Sequence, residues 1–287
     1  GTSKSRGGGN AEMRFPHLDT VLEDSSIGFA IVGRKIIPTI EKPAQPIPLL
    51  RHYMVDDFIQ ETIQHNLHWA NGKEEKPQFK FAYVTLPTAC NQRCMGCFTG
   101  KDKSRLLPEL SGPFYSDETI DDLIDFLKEQ GTEAIVYAGG GELFTWKGAF
   151  GYIERITDAG LGMVIFTNGT LLKQKDVEAL ASRDISLIVS LRDTVETEHN
   201  KAIGVSGFRR TLQTLEYALE CRMHKQNKLA VEIPVTRNNE DRVIYDFLPA
   251  MRSLGVIPLP EEYIQIMTSE EEKRVCHNFR EAREFFE

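Results

Sequence analysis

The 287-residue sequence predicts an α/β protein built on a parallel sheet, and three observations carry the prediction. From residue 80 onward a short strand-like run is followed by a run of helical period, and the pair recurs along the chain. The strand-like runs are nearly continuous in apolar residues, as expected for strands covered on both faces. The glycine-rich and polar segments each follow a strand, which gathers them at one edge of the sheet. Right-handed crossovers then allow either an open doubly wound sheet or a curved, partly closed barrel. In both architectures ligands sit at the C-terminal ends of the strands.

Taken in order, "FKFAYVTL" is the first strand and leads into a cysteine-containing loop. The helix "SDETIDDLIDFLKEQG" follows, with Ser116 as N-cap, Asp117 and Glu118 in its first turn and Gly131 as its stop. Its Ile120, Leu123, Ile124 and Leu127 form one apolar stripe. "EAIVYAGGGE" is the second strand, followed by a helix around "FGYIERITDAG". "GMVIFTNG" and "DVEALASR" make the third unit. "ISLIVSLRD" begins the fourth, whose helix carries Phe208, Leu212, Leu215 and Leu219 on one face. "KLAVEIPVTRNN" and "IYDFLPAMRSLG" form the fifth. "EEYIQIM" is expected as the sixth strand, and a charged helix, "SEEEKRVCHNFREAREFFE", closes the chain.

Residues 1–79 read as an N-terminal, partly helical extension that packs on the main domain, with 1–12 a flexible leader. Its helix, "LLRHYMVDDFIQETIQHNLHWA", places Met54, Phe58, Ile59 and Ile63 at helical spacing. Residues 80–269 form the core, and 270–287 are a C-terminal helix, the expected start of a further domain.

Composition narrows the function. The formal net charge of -8 is spread along the chain, which argues against nucleic acid as a partner, since phosphate neutralisation needs a basic face. No apolar run reaches the roughly 20 residues of a membrane span. Five cysteines, three of them crowded together, make a poor disulfide framework and suit a reducing compartment; cytoplasm is the expected location.

The crowded three are Cys90, Cys94 and Cys97, in "TACNQRCMGCFTG". Thiolates are soft ligands suited to zinc or iron–sulfur clusters. Structural zinc usually takes cysteines in pairs from two separate knuckles, whereas three on one short loop match a compact cluster. A [4Fe–4S] cubane normally has four cysteine ligands, so three leave one iron with an open position. The alternatives are a zinc site completed by Cys221, Cys276 or a histidine, and three unrelated buried cysteines. Cys221 reads as a small apolar residue at a helix end.

CxxxCxxC after the first strand, Gly-Gly-Glu after the second and a serine on the fourth resemble the radical S-adenosylmethionine (radical SAM) superfamily. The resemblance covers about residues 80–267 and implies a partial (β/α)6 TIM-like barrel. It also implies a [4Fe–4S] cluster held by Cys90, Cys94 and Cys97, with S-adenosyl-L-methionine chelating the open iron. Reductive cleavage would then supply a 5′-deoxyadenosyl radical for hydrogen abstraction, with an electron donor such as flavodoxin or ferredoxin. Where the family often has an aromatic residue against the adenine, this chain has Gly96, and Phe98 is the nearest replacement.

The resemblance further assigns Gly140, Gly141 and Glu142 to the methionyl amino group and Ser190 to the ribose. Lys201 in "EHNKAIG" matches the position that delivers a cation to the methionyl carboxylate, with Arg192 a competing candidate. Asn168 in "TNG" is placed near the site, although Asn-Gly is also an ordinary turn signal. Glu232 points into the barrel, or to solvent if its strand lies at an edge. The expected substrate is a small metabolite or natural-product intermediate. The alternatives are a peptide-modifying enzyme of the same superfamily, and a zinc or iron–sulfur protein that binds without catalysis.

Overall fold

In the computed structural model the described residues are 29–32, 35–38, 56–85, 89–97 and 116–262. Two short antiparallel strands, β1 (Phe29–Val32) and β2 (Lys35–Pro38), lie in the N-terminal region, where no strand is expected from the sequence. Helix α1 (Asp56–Ala70) follows. Its Asn66 grips the linker to the core, donating to the Gln78 carbonyl at 3.0 Å and accepting the Gln78 N–H at 2.9 Å. Ile63, expected on the packed stripe, is 44% exposed.

The core is a six-stranded, all-parallel sheet: β3 (Phe81–Val84), β4 (Ala134–Tyr137), β5 (Gly162–Thr167), β6 (Ile185–Ser190), β7 (Leu229–Val235) and β8 (Ile257–Glu262). Spatial order equals chain order, β3-β4-β5-β6-β7-β8. A doubly wound sheet reverses its strand order part-way, so the unbroken order decides for the open, barrel-like winding.

Helix α2 (Asp117–Glu129) starts where the capping signal puts it: Ser116 Oγ accepts the Thr119 N–H at 3.2 Å, and Ile120, Ile124 and Leu127 are buried. Gly131, at φ 73°, ends that segment in a backbone conformation few other residues tolerate. Helices α3 (Ala149–Asp158), α4 (Gln174–Ala181) and α6 (Phe208–Glu220) likewise bury apolar residues, α3 and α6 starting at glycines without a side-chain cap. A further short helix, α5 (Glu196–Ile203), occupies the "EHNKAI" stretch ahead of α6.

The last helical segment is composite. Glu240–Arg242 widens into a π-turn over Val243–Phe247 before Leu248–Leu254 resumes the α-helix. Pro249 supplies the cause: it has no N–H to return to the preceding turn, and a wide turn accommodates its ring.

The sixth strand lies earlier than expected, at Ile257–Glu262 instead of beginning at Glu261. Pro258 and Pro260 disguise it. Their spacing of two puts both missing donors on one side of the strand, and an edge strand has a side that needs none. The rest of "EEYIQIM" and the closing helix with Cys276 lie outside the described residues.

Alternation along the strands divides the apolar side chains into two layers. Ile135, Tyr137, Met163, Ile165, Leu187 and Val231 pack with the helices in the main core. Val136, Val164, Ile188, Ala230 and Ile257 form a smaller, strand-only layer on the opposite, concave face, flanked by the half-buried Phe166 and Leu259. That second face is the floor of the site.

Candidate active site

The cysteine loop is strapped across the end of α5. The Arg93 N–H donates to the Ile203 carbonyl at 2.9 Å and the Met95 N–H to the Ala202 carbonyl at 2.8 Å. Gly204 makes this approach possible. At φ 68° it ends α5, and a Cβ there would lie 3.0 Å from the Arg93 carbonyl oxygen. The other end of the loop is tied to the second strand's loop, where Glu142 N–H and Thr145 Oγ1 both donate to the Ala89 carbonyl at 2.9 Å. Asn91 bonds Thr170 Oγ1 at 2.7 Å through its amide nitrogen and accepts from the Asn168 side chain at 2.9 Å.

Within this frame Cys94 is 9% exposed and its Sγ meets Gln92 Oε1 at 3.3 Å, while Cys90 and Cys97 are half-buried. None of the three is in a disulfide. The donor set fits an iron–sulfur cluster, since soft sulfur ligands are presented from one rigid loop at the sheet's ligand-binding edge. Among the described residues no three His, Cys, Asp or Glu side chains converge on one point, and this includes Cys90, Cys94 and Cys97, which the loop brings near one another without gathering their sulfurs. Cys221 follows α6 at the opposite edge of the sheet, where burial raises its thiol's pKa.

Gly139, Gly140 and Gly141 have φ of 75°, 71° and 136°, so the turn after β4 accepts only glycine without strain. Glu142, expected with Gly140 and Gly141 at the methionyl amino group, is 2% exposed and its side chain meets the end of β5. Its oxygens accept from Thr167 Oγ1 at 2.8 Å and the Asn168 N–H at 2.7 Å, with the Phe144 N–H further off at 3.4 Å. A buried carboxylate with such donors latches two strand ends together. Asn168 is similarly engaged by the fold. Its side-chain oxygen accepts from the Thr170 N–H at 3.0 Å and Thr170 Oγ1 at 2.6 Å, and its carbonyl accepts from Thr211 Oγ1 at 2.8 Å.

The third group stands at the C-terminal ends of β6, β7 and β8. Ser190 pairs with Glu232 in the sheet register and donates to Glu232 Oε2 at 2.6 Å. Arg192 reaches Glu232 Oε1 at 3.4 Å. Glu232 is 7% exposed and shares the concave face with Ala230, so it points inward. Glu261, an exposed residue of β8, turns its carboxyl to the same point. Burial of that carboxyl and the neighbouring Glu232 charge, with a hydrogen bond to Glu232, push its pKa up to about 7 against the opposing pull of Arg192.

The loop that carries Arg192 is itself held. His199 Nδ1 accepts the Arg192 N–H at 3.1 Å, and Arg242 makes a two-pronged pair with Asp193 at 3.0 and 2.6 Å. His199 is fully buried, and burial, helped by Arg192, lowers its pKa to about 4. Its Nε2 has no hydrogen-bond partner among the described residues, but the ring meets Phe208 edge-on at 5.3 Å, a position suited to an N–H···π contact.

Lys201 lies exposed in the α5 turn that receives the cysteine strap. Phe98 falls outside the described residues. The sequence leaves Glu232 open between interior and solvent and carries no motif that singles out Glu261, His199 or Asn91. Register and burial bring these to the site.

The Radical SAM superfamily pattern matches residues 84–248. The match spans more than half of the chain, and the chain belongs to that superfamily. It is similar to the AdoMet-dependent heme synthase of Methanosarcina barkeri, with 33% identity over 135 residues, covering 46% of this chain and 36% of that protein. It is also similar to the tungsten-containing aldehyde ferredoxin oxidoreductase cofactor-modifying protein of Pyrococcus furiosus. There the identity is 25% over 166 residues, covering 56% of this chain and 45% of the relative. The chain thus spans less than half the length of these relatives. Among solved structures, Streptococcus suis SuiB bound to S-adenosylmethionine superposes with a TM-score of 0.57 at 16% identity, covering 80% of this chain and 48% of that one. Native anSMEcpe with bound AdoMet and Cp18Cys peptide gives 0.56 at 14% identity, covering 71% and 57%. At such identities the likeness is one of fold. Members of the superfamily bind a [4Fe–4S] cluster and S-adenosylmethionine. No helix among the described residues is long and apolar enough to cross a membrane.

Proposed function

We propose that this protein is a radical SAM enzyme acting on a small metabolite or natural-product intermediate, in which Cys90, Cys94 and Cys97 hold the cluster. The observation that carries the reading is the rigid cysteine strap at the ligand-binding edge, next to a turn of three positive-φ glycines. When bound, the cluster and S-adenosylmethionine supply a 5′-deoxyadenosyl radical that removes hydrogen from substrate. The chain's own contribution is binding and orientation. The strap fixes the thiolates against α5, and the open position is where S-adenosylmethionine binds. The backbone of Gly139–Gly141, rather than the engaged Glu142 carboxylate, meets the methionyl amino group. Ser190, backed by Glu232, faces the ribose hydroxyls. Lys201 or Arg192 meets the methionyl carboxylate, Phe98 covers the adenine, and Asn168 braces the strap instead of touching the ligand. The apolar floor of Val136, Val164 and Ile188 excludes water from the reacting carbon.

A flavodoxin or ferredoxin is the proposed electron donor, and a reducing compartment, the cytoplasm, the proposed location. The similarity to a heme synthase supports a small-molecule substrate. A peptide substrate is the second reading, supported by the folds shared with anSMEcpe, solved with a peptide, and with SuiB, solved bound to precursor peptide SuiA. The test is anaerobic reconstitution with iron and sulfide, a strong chemical reductant and S-adenosylmethionine. Wild-type protein is expected to form 5′-deoxyadenosine and Cys94→Ala none; equal yields from the two would refute the assignment.

A further inference from the structure

The cysteine strap alternates between solvent and interior: Asn91 and Arg93 are exposed, Gln92 and Cys94 buried. Gln92 is 4% exposed, and its Oε1 stands 3.3 Å from the sulfur of Cys94, the most buried of the three cysteines. Burying a carboxamide costs free energy unless its polar ends are hydrogen-bonded, and an apolar side chain would fill the same space without that cost. Among the described residues the Cys94 thiol is the group bonded to this carboxamide, and it uses the oxygen; Nε2 has no acceptor there. Nε2 faces Gly207, the N-cap of α6, and lies 3.7 Å from where a Cβ would stand. Backbone N–H groups converge at that helix end, those of Gly207 and Phe208 donating to Asn200 Oδ1 at 2.8 and 3.0 Å. Such a position suits an oxygen better than an amide nitrogen.

Resting on the functional reading above, we infer that Gln92 is a hydrogen-bond donor to the bound cluster, its carboxamide turned end for end so that Nε2–H points at Cys94 Sγ. The chemistry of the sulfur requires the exchange. A protonated thiol donates to Oε1, but the ligand to iron is the thiolate, which has no proton and can only accept. Left in place, Oε1 would set a lone pair against that negative charge. Half a turn about the terminal torsion puts N–H there within the same volume. The same half-turn carries Oε1 to the N-terminal end of α6, where partial positive charge favours it. No hydrogen bond to a described residue is given up, because Nε2 makes none. The neighbouring Asn91 is not available for this role, since its amide is engaged by Thr170 and Asn168. A donor aimed at a cluster sulfur stabilises the more negative, reduced form over the oxidised one, so Gln92 raises the reduction potential.

The test uses protein reconstituted anaerobically with iron and sulfide, with no substrate added. Gln92→Met keeps the length of the side chain and removes the N–H. In an EPR-monitored redox titration, its reduced-to-oxidised ratio at a fixed solution potential is expected to fall about tenfold below wild type, a shift of about 59 mV for one electron. With the side-chain nitrogen of glutamine isotopically labelled, pulsed EPR of the reduced wild-type cluster is expected to show a hyperfine coupling to that nitrogen, absent from Gln92→Met. The wild-type coupling decides the matter even where Gln92→Met fails to assemble a cluster. A reduced wild-type cluster without the coupling overturns the inference. So does a Gln92→Met potential equal to wild type, or above it, as an oxygen left facing the thiolate would give. Either result in a protein that forms 5′-deoxyadenosine refutes the inference alone, whereas wild-type protein that assembles no cluster refutes the functional reading and the inference with it.

Discussion

Replacing Glu142 by alanine separates a latch from a ligand. The wild-type carboxylate accepts two short hydrogen bonds from Thr167 and Asn168 inside the protein. Hydrogen bonds to a charged group contribute about 1.5–3 kcal/mol each, so removing the acceptor is expected to cost about 3–6 kcal/mol. The third contact, at 3.4 Å, adds little. For a domain of this size such a loss lowers the melting temperature by on the order of 10 °C. Glu142→Gln keeps one carbonyl acceptor but presents an amide to the second donor, so it should fall between alanine and wild type. The assay is urea and thermal unfolding of the three proteins under anaerobic conditions, alongside S-adenosylmethionine binding. The reasoning is refuted if Glu142→Ala unfolds within about 1 kcal/mol of wild type. It is refuted equally if Glu142→Gln keeps full stability while its affinity for S-adenosylmethionine collapses, since the carboxylate would then be a ligand.

Two further perturbations probe the frame around the site. Gly204→Ala forces a left-handed residue and drives a methyl to 3.0 Å from the Arg93 carbonyl. It should cost about 1–2 kcal/mol from the backbone alone and lift the strap, seen as reduced cluster absorbance per chain after reconstitution. His199 titrates at about 4 when folded and near 6.5 when unfolded, so the unfolded chain binds the extra proton between those values. Its contribution is complete above pH 6.5 and is lost as pH falls toward 4, by about 3 kcal/mol. His199→Gln, which still offers an acceptor to the Arg192 N–H, should flatten that portion of the stability–pH curve; an unchanged slope would show that the imidazole is not buried neutral.

Elements with a strong local signal are legible in the sequence. Ser116 and the stripe of Ile120, Ile124 and Leu127 define α2 because capping and helical periodicity act within a few residues. Continuous apolar strands define a parallel sheet for the same reason. The sixth strand is displaced in the sequence reading because Pro258 and Pro260 argue locally against a strand, and only its edge position makes them harmless. The β1–β2 pair and α5 carry too little periodicity to be seen.

The sequence by itself determined the chemistry on offer: three thiols within eight residues, a glycine turn, and polar groups after successive strands. Covalent spacing alone sets those facts. The tertiary structure decided which side chains the fold consumes and which it leaves for ligands. Glu142 and Asn168 look like ligands in the sequence, yet they face neighbours 25 and 77 residues away, Thr167 and Asn91. Glu232 and Glu261 look like ordinary strand residues, yet register and the inward pleat put them on one rim. Strand pairing, which no local pattern encodes, joins residues far apart in the chain, and a shift of one residue would turn each of these carboxyls to the other face.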